Sequence, residues 1–222
     1  KDKLNTQIAV VEALECPTLL NNGYGEHNIQ GIGDKHVPLI HNVMNTDFVV
    51  GITDRATNNL NMMFNTEIGQ QYLSRKKGFE IDFIKRLPEF GFSAIANILA
   101  SIKLAKYMKL GKDDAIVTVA TDGADLYLSE LNKTKAEFRG VYDETACGEI
   151  FGQYLRGIST DNTSELNQKD KERIFNLGYY TWVEQQGIST NDFEKRRNQN
   201  FWNEHYRYML SLDDRISDFN SI

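Results

Sequence analysis

Residues 89–123 read EFGFSAIANILASIKLAKYMKLGKDDAIVTVATDG, and the rest of the chain is organised around that stretch. Ala94, Ile95, Ile98, Leu99, Ile102, Leu104 and Ala105 leave almost no polar face in the first turns, which predicts a helix buried on most sides. Gly111 stands where a left-handed residue would stop that helix. Ser93 is the expected N-cap. There its hydroxyl either satisfies an orphan backbone N–H or turns to a ligand acceptor, while the helix dipole adds partial positive charge. Ala115-Ile116-Val117-Thr118-Val119-Ala120 is too continuously apolar for a one-sided sheet and predicts a strand covered on both faces. Ligands of open α/β sheets collect at the carboxyl ends of strands, and this strand ends in Asp122 and Gly123. One helix start and one strand end are therefore expected to converge on a crevice.

Working outward, Ile8-Ala9-Val10-Val11-Glu12 and Phe48-Val49-Val50-Gly51-Ile52 read as buried strands. Thr53-Asp54 caps a helix whose buried stripe is Ala56, Leu60, Met63, Phe64, Ile68 and Tyr72, with Gly78 as its stop. Strand, helix, helix, strand with short links is the pattern of a doubly wound α/β unit with a mostly parallel sheet. Three strands are too few for a complete sheet of that kind, and the others are expected upstream of Lys1. After Ser129 the pattern turns to amphipathic helices without strands, over 145–157 and 169–186, the latter stopped by Gly187. Ser189 and Asp192 have the spacing of a capping box. Phe201, Trp202, His205, Tyr206, Met209 and Leu210 form a stripe, and Leu212, Ile216 and Phe219 a second, both of the kind that packs against another helix or a partner. The expected division is an α/β portion over 1–130 and a helical extension over 131–222.

Composition excludes several classes. The 222 residues carry 25 Lys and Arg against 31 Asp and Glu, a formal charge of −6, so the general attraction to phosphate that drives nucleic-acid or anionic-membrane binding is missing. No apolar run approaches the roughly 20 residues needed to span a bilayer, and no signal peptide is visible. Cys16 and Cys147 are far apart and form no CxxC pair, which fits a reducing, cytoplasmic setting.

The segment from Asn22 to Pro38 contains Gly23, Gly25, Gly31 and Gly33, polar side chains and no periodicity, as a ligand-contacting loop does; a structural loop is the alternative. His27, His36 and His41 with Asp34 lack the helical or Cys/His spacing of zinc sites, so no metal is expected. The two Gly-x-Gly pairs lack the strand before and helix after that a dinucleotide fingerprint requires, and Gly91-Phe92-Ser93-Ala94-Ile95 lacks the second glycine of a hydrolase elbow.

The order of the pieces is more specific than any one of them. Tyr24-Gly25-Glu26-His27-Asn28-Ile29-Gln30-Gly31-Ile32-Gly33, then Val49 to Ala56, then Gly91-Phe92-Ser93-Ala94 opening a helix that ends Ile102-Lys103-Leu104-Ala105, then Ile116-Val117-Thr118-Val119 and Asp125-Leu126-Tyr127-Leu128-Ser129, resembles the second half of the cysteine synthase/tryptophan synthase β group. These are fold type II pyridoxal-phosphate (PLP) enzymes. The resemblance extends through Tyr180-Thr181-Trp182-Val183-Glu184-Gln185-Gln186-Gly187, as in a branch described as PLP-dependent protein, subunit β. It implies that Ser93 hydrogen-bonds the pyridine nitrogen, that Gly31, Asp122 and Gly123 stand near the cofactor ring, and that Gln30, Ile32 and Gly33 line the substrate side. It also implies β-replacement or β-elimination on an amino acid, and a homodimer. A neutral hydroxyl on the ring nitrogen suits that chemistry, whereas a carboxylate there would favour the protonated pyridinium. In the resemblance the Schiff-base lysine and the phosphate cradle precede the segment that begins at Lys1, so this chain is expected to be a C-terminal half that needs the missing half to act. A non-catalytic interaction protein built on a split or decayed PLP fold is the alternative.

Overall fold

The structure is a computed structural model that describes residues 6–221; the Leu210 side chain lies outside the described residues. In chain order the elements are β1 (Ala9–Ala13), α1 (Thr18–Asn21), β2 (Phe48–Ile52), α2 (Asp54–Asn65), α3 (Glu67–Lys77), α4 (Ile81–Arg86), α5 (Phe92–Met108), α6 (Leu128–Glu137), α7 (Glu144–Phe151), β3 (Thr163–Glu165), α8 (Gln168–Tyr179), α9 (Thr190–Lys195) and α10 (Gln199–Asn220). The class is α/β, with the strands in one mixed sheet of order β1-β2-β3. β1 and β2 run parallel, the Leu14 N–H donating to the Ile52 carbonyl at 2.8 Å. β3 runs the other way, and Gly51 N–H donates to the Asn162 carbonyl at 2.8 Å.

Several expectations need correction. Residues 115–120 form no strand; they are irregular and exposed, with Val117 93% and Val119 64% open. β-branched residues favour strands only where a neighbouring strand and a second layer receive them, and here neither does among the described residues. The expectation of a helical stretch without strands after Ser129 also fails. β3 is polar and three residues long, held by its pairing with β2 rather than by any pattern of its own. Only the β1–β2 pair is parallel, so the mostly parallel sheet is not present among the described residues.

The helix after Thr53 is broken at Thr66, whose hydroxyl accepts from Gly69 N–H at 3.2 Å and so starts α3. The break turns Ile68 outward while Tyr72 stays buried. A Cβ on Gly69 would stand 2.1 Å from the Met63 carbonyl oxygen, so this junction requires glycine. α5 is buried along Phe92, Ala94, Ile95, Ala96, Leu99, Ala100 and Leu104, as its apolar sequence predicts. Its N-cap is Gly91, two residues before the expected Ser93, and it ends at Lys109 in the left-handed conformation rather than at Gly111.

The chain forms two compact units, each discontinuous in sequence. One gathers the described residues up to Ala9, His36–Phe48 and those from Glu165 on. Its core stacks Phe175 on Phe193 at 4.7 Å and places the buried Arg196 guanidinium over Phe175, Phe193 and Trp202. Asn167 and Asp170 cap α8 reciprocally, Ser189 caps α9, and Gly187 takes the left-handed turn between them. Trp182 donates from Nε1 to the Val37 carbonyl at 2.8 Å. Tyr206, Met209, Ile216 and Phe219 of α10 are exposed.

The other unit comprises Val10–Lys35 and Val49–Ser164 and holds all the expected site residues. Cys16 and Cys147 are both buried there as free thiols. No helix of the described residues is long and apolar enough to cross a membrane.

Candidate functional site

Two carboxylates, Glu12 in β1 and Glu15 just after it, anchor the starts of α1 and α2. Glu12, buried, accepts from the Leu19 and Leu20 N–H groups at 2.9 and 2.8 Å and so secures the start of α1. Glu15 accepts from the Thr53 hydroxyl at 2.6 Å and the Asp54 N–H at 2.9 Å, at the start of α2. Asp54 in turn accepts from the Asn28 N–H at 2.8 Å, and Asn28 donates from Nδ2 to Asn58 at 2.8 Å. Burial, with the negative charge of Glu15 nearby, holds the Asp54 carboxyl above the usual carboxylate range. Through these bonds the glycine loop is tied to α2, and Ile29 is fully buried beneath it.

The loop delivers Gly31 to the first turn of α5. Gly31 has φ of +89°, where a side chain is strained, and a Cβ built on it would lie 3.7 Å from both Cβ and Oγ of Ser93. Gly33, at φ +85°, is held by the His27 ring, whose Nε2 lies 3.1 Å from the Gly33 carbonyl. Gln30 is exposed, and Ile32 and Gly33 are half-buried.

A second segment lies along the same turn of α5. Asn97 donates to the Val119 carbonyl at 2.9 Å, the Ser93 and Thr121 hydroxyl oxygens are 2.8 Å apart, and Gly91 N–H donates to the Asp122 carbonyl at 2.6 Å. Residues 119–122 are thus clamped to the helix start by three bonds in register. Ser93 itself is only 4% exposed, whereas Thr121 is open. The Asp122 carboxylate accepts from the Tyr127 hydroxyl at 2.9 Å, and the Tyr127 ring packs 5.0 Å from Phe92. Burial and the bond to Asp122 raise the Tyr127 hydroxyl above its ordinary pKa. Tyr127→Phe is expected to cost about 1 kcal/mol in urea unfolding, the net value of one hydrogen bond, and an unchanged midpoint would show that Asp122 is held by other means.

Of the predicted residues, the structure places Gly31 close to Ser93 and ties Asp122 to the same helix turn through its backbone. It does not gather all of them. Gly123 lines an open cleft of about 640 Å³ with Asn65, Pro88, Glu89 and Asp125, to whose walls neither Gly31 nor Ser93 contributes. Among the described residues no group of three His, Cys, Asp or Glu is placed to hold a metal ion. The His41 ring sits 2.8 Å from the Thr46 hydroxyl.

Sequence reasoning missed Thr121, which partners Ser93 yet carries no charge to draw attention. It also missed Lys103. That lysine, 6% exposed on α5, donates to the Asp161 carbonyl at 2.7 Å, to Asp161 Oδ1 at 2.9 Å and to the Gly51 carbonyl at 3.4 Å. It lines a cavity of about 280 Å³ at the carboxyl end of β2 with Thr53, Tyr154 and Ser159. All three ammonium donors are committed, so Lys103 is a pin rather than a nucleophile. The signal available was a lysine at i+4 from Leu99 on an otherwise apolar stripe.

No family model matches the chain, and no curated protein matches it.

Proposed function

We propose that this chain supplies the ring-nitrogen side of a PLP site in a fold type II enzyme that acts on an amino acid by β-replacement or β-elimination. What supports the reading is the meeting of Ser93, Thr121 and Gly31, three residues from three separated segments. Of the two hydroxyl protons, one is used in the bond between Ser93 and Thr121. The other remains for an acceptor such as a pyridine nitrogen. The residues present therefore fit that end of the cofactor. They would hold the nitrogen with a neutral donor, while Tyr127 engages the Asp122 carboxylate that would otherwise favour a charged ring. Bound there, PLP supplies a limited electron sink, suited to the milder replacement and elimination chemistry.

This chain's own residues then do three things. The Ser93–Thr121 pair would orient the ring by donating its one remaining hydroxyl proton to the nitrogen. Gly31 lets the loop backbone come close without a side chain between, and Gln30, Ile32 and Gly33 continue along the substrate side. The phosphate cradle and the lysine are assigned to residues other than those of this chain, and the active species to a homodimer.

Protein expressed from its complete gene and purified with PLP is expected to show an absorption band of bound cofactor that shifts when amino acids are added. Ser93→Ala is expected to weaken cofactor retention about tenfold, the equivalent of one hydrogen bond of about 1.4 kcal/mol. A wild-type protein with no cofactor band overturns the reading. The exposure of Val117 and Val119 favours a second one, a non-catalytic protein whose 115–120 run pairs with the strand of a partner. That reading expects no cofactor band, and slowed amide exchange at 115–120 when the partner is added.

A further inference from the structure

A cavity of about 340 Å³ lies among α2, α3, α4 and α5, walled by Leu60, Phe64, Phe83, Leu87, Ile95 and Leu155 among others, and its walls are apolar throughout. Such a lining offers water no hydrogen-bond partner. An engineered apolar cavity of about 150 Å³ accepts benzene, so this one has room for a chain of roughly ten carbons by the same scaling. Leu155 reaches it from a π-helical turn, Gly152–Arg156, an irregularity that often accompanies binding sites.

The mouth is aromatic and then cationic. Phe79 and Phe83, with ring centroids 5.7 Å apart, are 39% and 51% exposed although both line the cavity. Phe79 also meets Phe151 at 6.4 Å, and the Lys77 ammonium lies over the Phe151 ring at 4.4 Å and the Tyr72 ring at 5.2 Å. Lys76 beside it is paired with Glu144, but no carboxylate among the described residues stands within ion-pair distance of Lys77. Arg75, Lys76 and Lys77 together make this turn of α3 basic. An apolar pocket whose exposed lining residue Phe79 meets Phe151, with the Lys77 ammonium over that second ring and in no ion pair with a described carboxylate, matches a long apolar tail with one negative head.

We propose that this cavity binds the alkyl chain of an anionic amphiphile, with the acidic head paired to Lys77. The site shares no residue with the Ser93 corner, so the two readings stand or fall separately. Calorimetric titration of the chain with decanoate, held below its micelle concentration, is expected to show saturable one-to-one binding. Acetate, which lacks the tail, is expected not to bind. Lys77→Gln should weaken decanoate about tenfold and leave decanol unaffected, because only the former carries the charge. Leu155→Phe, which narrows the cavity, should abolish both while circular dichroism and the unfolding midpoint show the fold retained. Should Leu155→Phe not fold, displacement of decanoate by decanol at equal stoichiometry reports the same cavity. Sedimentation with vesicles of neutral or of anionic lipid then separates the sources of the ligand: decanoate binding without vesicle binding assigns a free carboxylate, and added binding to anionic vesicles assigns a lipid. No saturable decanoate binding, or affinity unchanged in Lys77→Gln, overturns the proposal.

Discussion

Gly91→Ala is expected to destabilise the protein by about 3 kcal/mol, at the upper end of the cost of overpacking a filled site. A Cβ on Gly91 would stand 2.7 Å from the Asp122 carbonyl oxygen and 2.8 Å from Cε2 of the Tyr127 ring. The backbone has little room to yield, since the Gly91 N–H donates to that same carbonyl at 2.6 Å. Conformation is not the difficulty. Gly91 has φ of −79°, open to any residue, so the whole penalty is steric and falls on the segment that carries Thr121 and Asp122. The variant should unfold at lower urea with an unchanged slope, and its amides over 119–122 should exchange faster. A loss under about 0.5 kcal/mol would mean that the segment moves freely, and the clamp at Ser93 would then be no part of a site.

That clamp shows how far the sequence could be read. α5 was legible because an apolar surface nearly all round a helix has only one use in water. β1 and β2 were legible because their short continuous apolar runs sit between turn residues. Ser93 was misplaced by two positions as an N-cap because glycine, with no side chain to announce it, caps α5 instead. The run 115–120 carries the same local information as β2, yet only β2 lies between strands, and a strand requires neighbours that no local pattern specifies. β3, Thr163–Glu165, is the converse: polar, short and assigned entirely by the strand beside it. In the site, Gly31 and Ser93 were singled out together only through the resemblance, and the structure places them close together. Thr121 was not, because the neighbouring Asp122 bears the more conspicuous charge, and that carboxylate proves to be engaged by Tyr127.

Lys103 is the clearest case of information carried only in three dimensions, since its partner Asp161 lies 58 residues away. Lys103→Met, which keeps most of the volume, is expected to cost about 2 kcal/mol, because the Asp161 and Gly51 carbonyls lose a buried donor. The ion pair contributes less than its burial suggests. The Asp161 side chain is 63% exposed, so solvent screens the pair and its charge-dependent part is held to about 1 kcal/mol. The Ser159 hydroxyl, 2.6 Å from Asp161 Oδ1, and the Lys103 ammonium both hold the Asp161 carboxyl below its ordinary value of 3.8. A carboxyl lowered on folding stabilises the folded state above its unfolded pKa and loses that contribution as pH falls through the folded one. The gap between wild type and Lys103→Met should therefore be constant from neutral pH to about pH 5 and narrow below pH 4, leaving the pH-independent loss from the two carbonyls. Urea midpoints of both proteins across that range read this directly. A gap that closes completely in acid would assign the whole effect to the ion pair, and a gap that ignores pH would assign it to the carbonyls alone.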